Sequence, residues 1–298
     1  MHKPVLLKDA IEYLDPKPGE NFMDCTIGEA GHSLAILEKI KPEGKVLGID
    51  INYDSLQKIK AREGLILARG NFKNLKTIAE ENNFKKINGI LFDLGLSSWQ
   101  IEESGKGFTF KKDEPLNMIL NGGQVVTAQE IINTWPEESL LEIFKNYGEE
   151  RFARRIVQRI VQQRKIAPIK TTLRLFEIIK KSIPFSKTRR GRPASRRGKV
   201  ERVAARIFQA LRIVVNDELE NLKSALSQAL EILDNKGRIV VISFHSLEDG
   251  IVKRFFKEKE KEGKLQILTA KPITAGEAEI RDNPRSRSAK LRAAMNKI

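Results

Sequence analysis

The 298-residue chain has a single cysteine and lacks long hydrophobic runs. One cysteine, Cys25, excludes an intrachain disulfide framework and leaves too few thiolates for a structural zinc site, and we predict no metal site. No uninterrupted apolar run approaches the roughly 18–20 residues needed to span a bilayer, and the first residues are too charged for a secretory signal. We therefore expect a cytoplasmic protein with no membrane partner.

Acidic residues are scarce in residues 151–212, which hold 20 Lys and Arg but only Glu177 and Glu201. This segment carries +18 while the whole chain carries +15, so the remaining residues sum to −3. A basic excess confined to one segment indicates a polyanion-binding surface. The Arg151–Arg164 stretch is either an exposed helix face or a polyanion-binding surface. Few acidic residues lie within it to form i,i+4 pairs, which favours polyanion binding. For Lys187–Lys199, a solvated or disordered basic loop is an equal alternative.

The first third of the chain alternates short apolar runs with helical patterns. This order is typical of βαβ units on a parallel sheet, and the nearly continuous Val, Ile and Leu runs indicate strands covered on both faces. The predicted strands are Asn21–Ile27, Lys45–Asp50, Leu65–Gly70 and Ile87–Leu94. The predicted helices are Gly31–Ile40, Tyr53–Arg62 and Leu75–Asn83.

From about Ser104 to Val203 the strand pattern gives way to amphipathic helices. The α/β pattern then resumes, and the tail from Ser288 onward has a composition compatible with a helix. We therefore predict an α/β domain, residues 1–104 and 204–298, interrupted by an all-helical, basic insertion, residues 105–203. The helices predicted in the insertion are Thr127–Asn133, Pro136–Tyr147, Glu149–Arg164 and Thr171–Ile183, and Ser186–Gly198 is predicted as a loop. The later elements are a long helical stretch, Ala204–Leu233, a strand, Arg238–Phe244, a helix, Glu248–Glu262, and a strand, Leu265–Ala270.

The stretch Asp24–Ser33 predicts a glycine-containing turn between the first strand and the first helix of the sheet. Gly28 and Gly31 would let a ligand approach the backbone, and Asp50, at the end of the next strand, is placed to bind a ribose. The turn lacks the first glycine of G-x-G-x-x-G, which favours an adenosine cofactor without a pyrophosphate, such as S-adenosylmethionine. The alternatives are glycines used only for close packing and Asp50 used as a helix N-cap.

Two further motifs follow predicted strands, where ligands of open α/β sheets bind. Asp93 begins the loop Asp93–Gln100, whose carboxylate or carbonyl groups could accept hydrogen bonds from a substrate amino group. His32 and His245 both lie at strand-to-helix turns, and each is a base, a substrate ligand or a structural group. Asp93 as a turn former and Ser246 as an N-cap are the simpler interpretations.

Taken together, the sequence resembles one family, the bacterial methyltransferases that modify N4 of a cytosine in small-subunit ribosomal RNA. The resemblance extends over nearly the whole chain. The matching strings are His2-Lys-Pro-Val-Leu-Leu, Asp24–Ser33, Asp93–Gln100, Lys106–Phe110, Tyr147–Arg155, Phe208–Asn216, Val241–Asp249 and Asn283–Ala294.

The resemblance implies a Rossmann-like class I methyltransferase that uses S-adenosylmethionine and acts on 16S rRNA, within the small ribosomal subunit or a late precursor of it. The cofactor contacts that it implies are Ala30, Gly31, His32, Asp50, Phe72, Asp93 and Gln100. To these we add Gly28 of the glycine-containing turn. For catalysis we single out Asp93, Ser97 in the adjoining loop, and His245. The expected RNA contacts are Arg151, Arg154, Arg155, Arg189, Arg190, Arg196, Arg197 and Arg206, and a homodimer is among the assemblies that the sequence allows.

The chain departs from the family pattern at three places. Cys25 and Ala30 stand where glycines are usual, Glu114 and Asn117 where Gly and Asp are more frequent, and Arg202–Arg206 replaces a string that usually begins His-Pro. Two rival functions also stay open at this point. One is an NAD-dependent oxidoreductase on the same fold, and the other is a non-catalytic RNA-binding assembly factor that has kept the fold.

Overall fold

The computed structural model describes residues 3–120, 126–184 and 196–298. The chain divides into two compact units. The first, which we call the α/β unit, comprises Met1–Gly95 and Leu219–Ile298, and the second, the helical unit, comprises Leu96–Glu218. In the described ranges, none of the helices combines the length and the apolar character that a membrane crossing requires.

The described residues form seven strands and thirteen α-helices. The strands are β1 Asn21–Asp24, β2 Val46–Asp50, β3 Leu65–Arg69, β4 Ile87–Asp93, β5 Leu233–Ser243, β6 Leu265–Ile267 and β7 Lys290–Asn296. The helices are α1 Leu7–Leu14, α2 Gly31–Ile40, α3 Tyr53–Lys58, α4 Leu75–Glu81, α5 Ser98–Glu102, α6 Ala128–Thr134, α7 Glu137–Asn146, α8 Ala153–Arg164, α9 Thr172–Ser182, α10 Arg196–Asn216, α11 Glu218–Ile232, α12 Ser246–Lys261 and α13 Glu277–Asp282. Two 3₁₀ turns, Phe72–Asn74 and Pro284–Ser288, complete the set.

The α/β unit is built on one seven-stranded sheet with the order β3-β2-β1-β4-β5-β7-β6. The five strands from β3 to β5 are parallel, and β7 runs antiparallel to both of its neighbours. Most side chains of β1, β2, β4 and β5 are buried, as parallel strands between helical layers require. The predicted α/β fold with a mostly parallel sheet is confirmed.

The prediction of a helix from Ser288 onward is wrong, because that segment contains β7. Leu, Ala and Met favour a helix locally, but the strand hydrogen-bonds along β5, where Ala293 pairs with Val240. Tertiary pairing therefore overrides local propensity. The tail is also less exposed than its charge suggests, since Arg292 is nearly buried and donates to Asp249 Oδ1 at 2.6 Å.

The predicted helical stretch Ala204–Leu233 is two helices, α10 and α11, separated by Asp217 at φ +51°. The predicted loop Ser186–Gly198 lies outside the described residues up to position 195, and α10 begins at Arg196. The helical unit runs from residue 96 to 218, whereas the sequence predicts 105 to 203 for the insertion. The difference has a packing reason. Helix α10 is continuous across position 203, and its buried face belongs to the core of the helical unit.

That core is formed by the apolar faces of α6 to α10. The buried side chains of α8 are Ala153, Ile156, Val157 and Ile160, at the i, i+3, i+4 and i+7 positions that face one side of a helix. Arg164, at the end of this helix, donates to the carbonyl oxygens of Ile132 and Trp135 at 2.9 and 2.8 Å. The same helix therefore turns one face to the core and leaves its other charged side chains at the surface.

Candidate active site

The turn after β1 is organised around Asp24, a buried carboxylate. Ser33 Oγ donates to Asp24 Oδ2 at 2.6 Å, and the Thr26 backbone N–H donates to Oδ1 at 3.2 Å. Burial raises the pKa of Asp24 to about 6, and these hydrogen bonds oppose the rise. The same carboxylate, together with burial, raises the pKa of the neighbouring Cys25 thiol. Asp24 thus ties the end of β1 to the first turn of α2.

Two residues of this turn adopt left-handed backbone conformations, Gly28 at φ +51° and Ala30 at φ +64°. Ala30 stands where the family that the sequence resembles usually has glycine. Its Cβ therefore lies in a backbone conformation that L-residues adopt at an energetic cost. Gly31 has a different reason to lack a side chain, because a Cβ there would overlap with the ring of Pro4. Its glycine therefore serves close packing, the simpler of the two interpretations made from the sequence.

Asp50 closes β2 and faces the same turn. Its Oδ2 accepts the Gly28 N–H at 3.0 Å and its Oδ1 accepts the Asn52 N–H at 2.8 Å. Burial raises its pKa, and these two hydrogen bonds oppose the rise. The alternative role as an N-cap is wrong, because Asn52 caps α3 by accepting the Asp54 N–H. Each Asp50 oxygen keeps acceptor capacity for a further donor.

Asp93, the last residue of β4, has a carboxylate with incomplete hydrogen bonding. Its backbone N–H donates to Thr26 Oγ1 at 2.7 Å, which fixes the main chain. Its Oδ2 lies 3.6 Å from His32 Nδ1, while its Oδ1 is buried and has no hydrogen-bond partner among the described residues. Burial raises the pKa of Asp93 to about 6; His32 opposes the rise, and Asp24 and Glu248 add to it. A buried acceptor without a donor indicates a position where a ligand supplies one.

Phe72 lies in the 3₁₀ turn after β3, half-buried. Its ring meets that of Phe92 on β4 edge to face, with centroids 5.9 Å apart. The partly exposed Phe72 ring thus packs against a second aromatic ring, that of Phe92 on β4.

His245 is the N-cap of α12 and has an evident structural role. It forms a capping box in which Nδ1 accepts the Glu248 N–H at 3.5 Å and Glu248 Oε2 accepts the His245 N–H at 3.3 Å. The N-cap is therefore His245 and not Ser246, the alternative that the sequence offers one residue later. His245 Nε2 is buried, lies 3.1 Å from Glu248 Oε1 and makes no hydrogen bond of acceptable geometry with any described residue. The sequence reasoning assigns no site role to Glu248, although its position three residues after the cap is the capping-box spacing.

Ser97 and Gln100 form a second capping box, at the start of α5 in the helical unit. Ser97 Oγ accepts the Gln100 N–H at 3.2 Å, and Gln100 Oε1 accepts the Ser97 N–H at 2.8 Å. Both side chains therefore hold the first turn of α5.

The predicted RNA contacts lie in the helical unit and fall into three groups. Arg151, Arg154 and Arg155 are exposed, with Arg151 stacked over the Phe152 ring at 4.7 Å. Arg206 is engaged internally, with one guanidinium nitrogen 2.6 Å from Oε2 of the buried Glu150. The remaining contacts are Arg189 and Arg190, outside the described residues, and Arg196 and Arg197, which lie in α10 but whose side chains are not described.

Two of the residues that depart from the family pattern, Glu114 and Asn117, form hydrogen bonds within the helical unit. Glu114 is buried, its Oε2 accepts the Gly107 N–H at 2.9 Å, and its own N–H donates to Thr172 Oγ1 at 3.1 Å. Asn117 Oδ1 accepts the Ile119 N–H at 2.9 Å. Both residues thus stabilise loops of the helical unit.

The sheet order, with an antiparallel strand between β5 and β6, and the carboxylates at the ends of β1, β2 and β4 define the class as a Rossmann-like methyltransferase. Comparison with known proteins names the family. The MraW methylase family model matches residues 1–297, and the chain belongs to this family. Membership confirms the predicted enzyme class and decides against both the oxidoreductase and the non-catalytic interpretation.

Three relatives illustrate the similarity, each called ribosomal RNA small subunit methyltransferase H. The protein of Halothermothrix orenii is 42% identical over 312 residues, covering 98% of this chain and 97% of its own length. Those of Clostridium botulinum and Heliobacterium mobile are also 42% identical, over 310 and 314 residues, and cover 98% of this chain and 97% and 98% of their own lengths. A solved rRNA methylase from Streptococcus thermophilus covers 100% of this chain and 99% of its own length at 10% identity, with a TM-score of 0.46.

Proposed function

We propose that this chain transfers a methyl group from S-adenosylmethionine to the N4 amine of one cytosine in 16S rRNA, with Asp93 at the centre of the reaction. Family membership and relatives named for the small-subunit rRNA support the reaction and the substrate. The observation that carries the role of Asp93 is its Oδ1 at the end of β4, which is buried and receives no hydrogen bond from the part of the chain that the structure describes. A cytosine amine or the amino group of the cofactor would supply that donor.

The residues around the β1–α2 turn suit S-adenosylmethionine. Both oxygens of Asp50 retain acceptor capacity for the two ribose hydroxyls, and Phe72 offers a partly exposed ring to the adenine. The first turn of α2 carries backbone N–H groups without intrahelical acceptors, which would contact the cofactor at Gly31 and His32. Ala30 is the N-cap and its N–H donates to the Ile27 carbonyl oxygen at 2.7 Å, so this residue would contact the cofactor through its other atoms. When bound, the cofactor supplies a methyl group on a positively charged sulfur, for which the carboxylates at the strand ends are favourable neighbours.

The chemical difficulty lies with the acceptor. The N4 lone pair of cytosine is delocalised into the ring, so positioning and electrostatics must supply most of the rate acceleration. Asp93 and the carbonyls of Leu94–Ser98 would accept the N4–H hydrogen bonds and orient the lone pair toward the methyl group. The base has to leave any stack to reach such a site.

The other predicted catalytic and cofactor residues have secondary roles in this proposal. His245 would contact the base through Nε2, since Nδ1 is used in its cap. Ser97 and Gln100 would act by fixing the loop that follows Asp93, because their side chains hydrogen-bond each other's backbone.

We further propose that the helical unit is an RNA-binding insertion. Its exposed Arg151, Arg154 and Arg155 would neutralise phosphates, joined by Arg206 beside Glu150 and by Arg189, Arg190, Arg196 and Arg197. Binding through phosphates releases counterions and is steeply salt-dependent. The expected substrate is the assembled small subunit or a late precursor of it, in the cytoplasm. Whether the protein forms a homodimer is tested by light scattering of the purified protein.

The test is incubation of the protein with labelled S-adenosylmethionine and small ribosomal subunits lacking the modification, followed by mapping of the labelled nucleotide. We expect one cytosine to carry the label on N4, and Asp93→Ala to abolish its incorporation. Label on another atom or nucleotide would refute the target. Near-normal turnover by a folded Asp93→Ala variant would refute the role of the residue.

A further inference from the structure

His32 is the only histidine of the described residues that faces Asp93 directly. Its ring is buried, and Nε2 lies 3.0 Å from the carbonyl oxygen of Val5. A carbonyl oxygen only accepts hydrogen bonds, so Nε2 carries a hydrogen. The other ring nitrogen, Nδ1, therefore faces Asp93.

Asp93 lies among groups of mostly like charge. Nδ1 of His32 is 3.6 Å from Asp93 Oδ2, an ion-pair distance rather than a hydrogen bond. The other ionisable groups that act on Asp93 are Asp24 and Glu248, both of which disfavour its charge. Of this set, His32 is the one group that favours the charged form of Asp93.

The residues before and after Val5 are fixed by contacts with other segments. Pro4 packs on Gly31, where a Cβ would overlap with its ring. The Leu6 N–H donates to Glu279 Oε1 at 2.7 Å, and Asn283 Nδ2 donates to the Lys3 carbonyl at 3.0 Å. The acceptor that orients His32 is thus part of a fixed segment.

We propose that His32 is a positioning residue for Asp93. The Val5 carbonyl holds Nε2–H and so fixes the ring with its Nδ1 edge at Asp93, which turns Oδ2 to the imidazole and leaves Oδ1 for the ligand. This role rests on the proposed function, which gives Oδ1 a ligand to bind. It assigns the His32 side chain a task separate from any backbone contact that this residue makes to the cofactor.

Two amide substitutions separate this role from plain packing. The side-chain nitrogen of Asn corresponds in reach to Nδ1, and that of Gln to Nε2. His32→Asn therefore keeps a donor toward Asp93, whereas His32→Gln keeps the donor toward Val5. Binding of S-adenosylmethionine, measured by calorimetry at pH 7.5, should weaken less than about threefold for His32→Asn and about tenfold for His32→Gln, which corresponds to about 1.4 kcal/mol. A packing role predicts the opposite order, and that order, or equal affinities, would overturn the proposal.

The pH dependence of the same binding provides a second measurement. Protonation of Asp93 removes a negative charge, so affinity for the positively charged donor should fall as pH drops through the pKa of about 6. Because His32 lowers the pKa of Asp93, His32→Gln should move this fall to higher pH, while His32→Asn leaves its midpoint nearer the wild-type value. Asp24 is unchanged in both variants, and thermal melting checks that both fold. Coincident pH profiles for all three proteins would contradict the proposal.

The two proposals fail in different ways. Normal turnover by Asp93→Ala would remove the proposed function of the site and this inference with it. Loss of turnover in Asp93→Ala, together with the reversed order of the His32 variants, would remove this inference alone.

Discussion

The charged side chains that we propose as ligand contacts are placed differently in the two units. In the α/β unit, Asp24 and Asp93 at strand ends and Glu248 in the first turn of α12 are largely withdrawn from solvent. Each of these carboxylates, when ionised, requires donors or a cation. In the helical unit, Arg151 and Arg154 are exposed and have no acidic partner within the described residues. Buried carboxylates suit the recognition of one small cation, whereas exposed arginines suit the binding of a large polyanion. The comparison implies that substitutions in the two units should change different measured quantities.

The largest expected effect separates two carboxylates of the α/β unit. Asp93→Asn should lower single-turnover methyl transfer about 10³-fold, because the carboxylate proposed to accept the N4–H hydrogen bonds becomes a neutral amide with a single acceptor oxygen. Asp50→Asn should weaken donor binding about 10- to 100-fold and leave the saturated rate within a few fold, because a ribose contact is the same before and during reaction. Equal losses in both quantities for the two variants would break the distinction between them.

In the helical unit the expected effect is on RNA alone. A variant with Arg154→Gln and Arg155→Gln should bind small subunits about 5- to 30-fold more weakly and with a shallower salt dependence, since two of the proposed phosphate contacts are removed. The matched control is Lys253→Gln with Lys257→Gln, which removes the same charge from exposed positions of α12 in the α/β unit. Filter binding at several salt concentrations makes the comparison. An equal loss in the control would show that net charge, not this surface, governs binding.

A smaller effect on stability should distinguish Asp93 from Asp50. The folded-state pKa of Asp93, about 6, lies above its ordinary value of 3.8, so the folded protein binds the proton more tightly and stability falls as pH rises through this window. Asp93→Asn removes that cost and should raise the free energy of unfolding by ~1–2 kcal/mol at pH 7.5, with no gain near pH 4. Burial also raises the pKa of Asp50, so Asp50→Asn removes a cost of the same kind, but one backbone N–H loses its acceptor at a cost of ~1 kcal/mol, and the net gain should be smaller than for Asp93→Asn. Urea unfolding at both pH values measures this, and a pH-independent gain for Asp93→Asn would contradict it.

The smallest effect concerns the turn after β1. Ala30→Gly should stabilise the protein by about 0.5–1 kcal/mol, because Gly adopts φ +64° without the cost paid by Ala, partly offset by greater freedom when unfolded. The reverse change at the other left-handed residue, Gly28→Ala, should destabilise it by a similar amount. Thermal melting of the pair suffices, and changes of the same sign would show that φ does not control this turn.

The sequence predicted those parts of the molecule that depend on local pattern. Helix α2 has the predicted bounds, and Asp50 and Asp93 lie at strand ends as expected. Contacts between distant segments could not be predicted in this way. The contact of Val5 with His32 spans 27 residues and involves a carbonyl group that every residue possesses. Strand β7 was missed for the same reason, because its hydrogen-bonding partner β5, and not its composition, decides its conformation.

The order of the sheet has a consequence for how the chain reaches this fold. Strands β4 and β5 are hydrogen-bonded neighbours, yet the whole helical unit lies between them in sequence. Joining them closes a loop of more than a hundred residues, and such non-local pairing slows folding. The helical unit consists of one continuous segment with its own core and can collapse through nearer contacts. Its early folding would shorten the effective loop, so that substitutions in its core would slow assembly of the sheet without touching a residue of the active site.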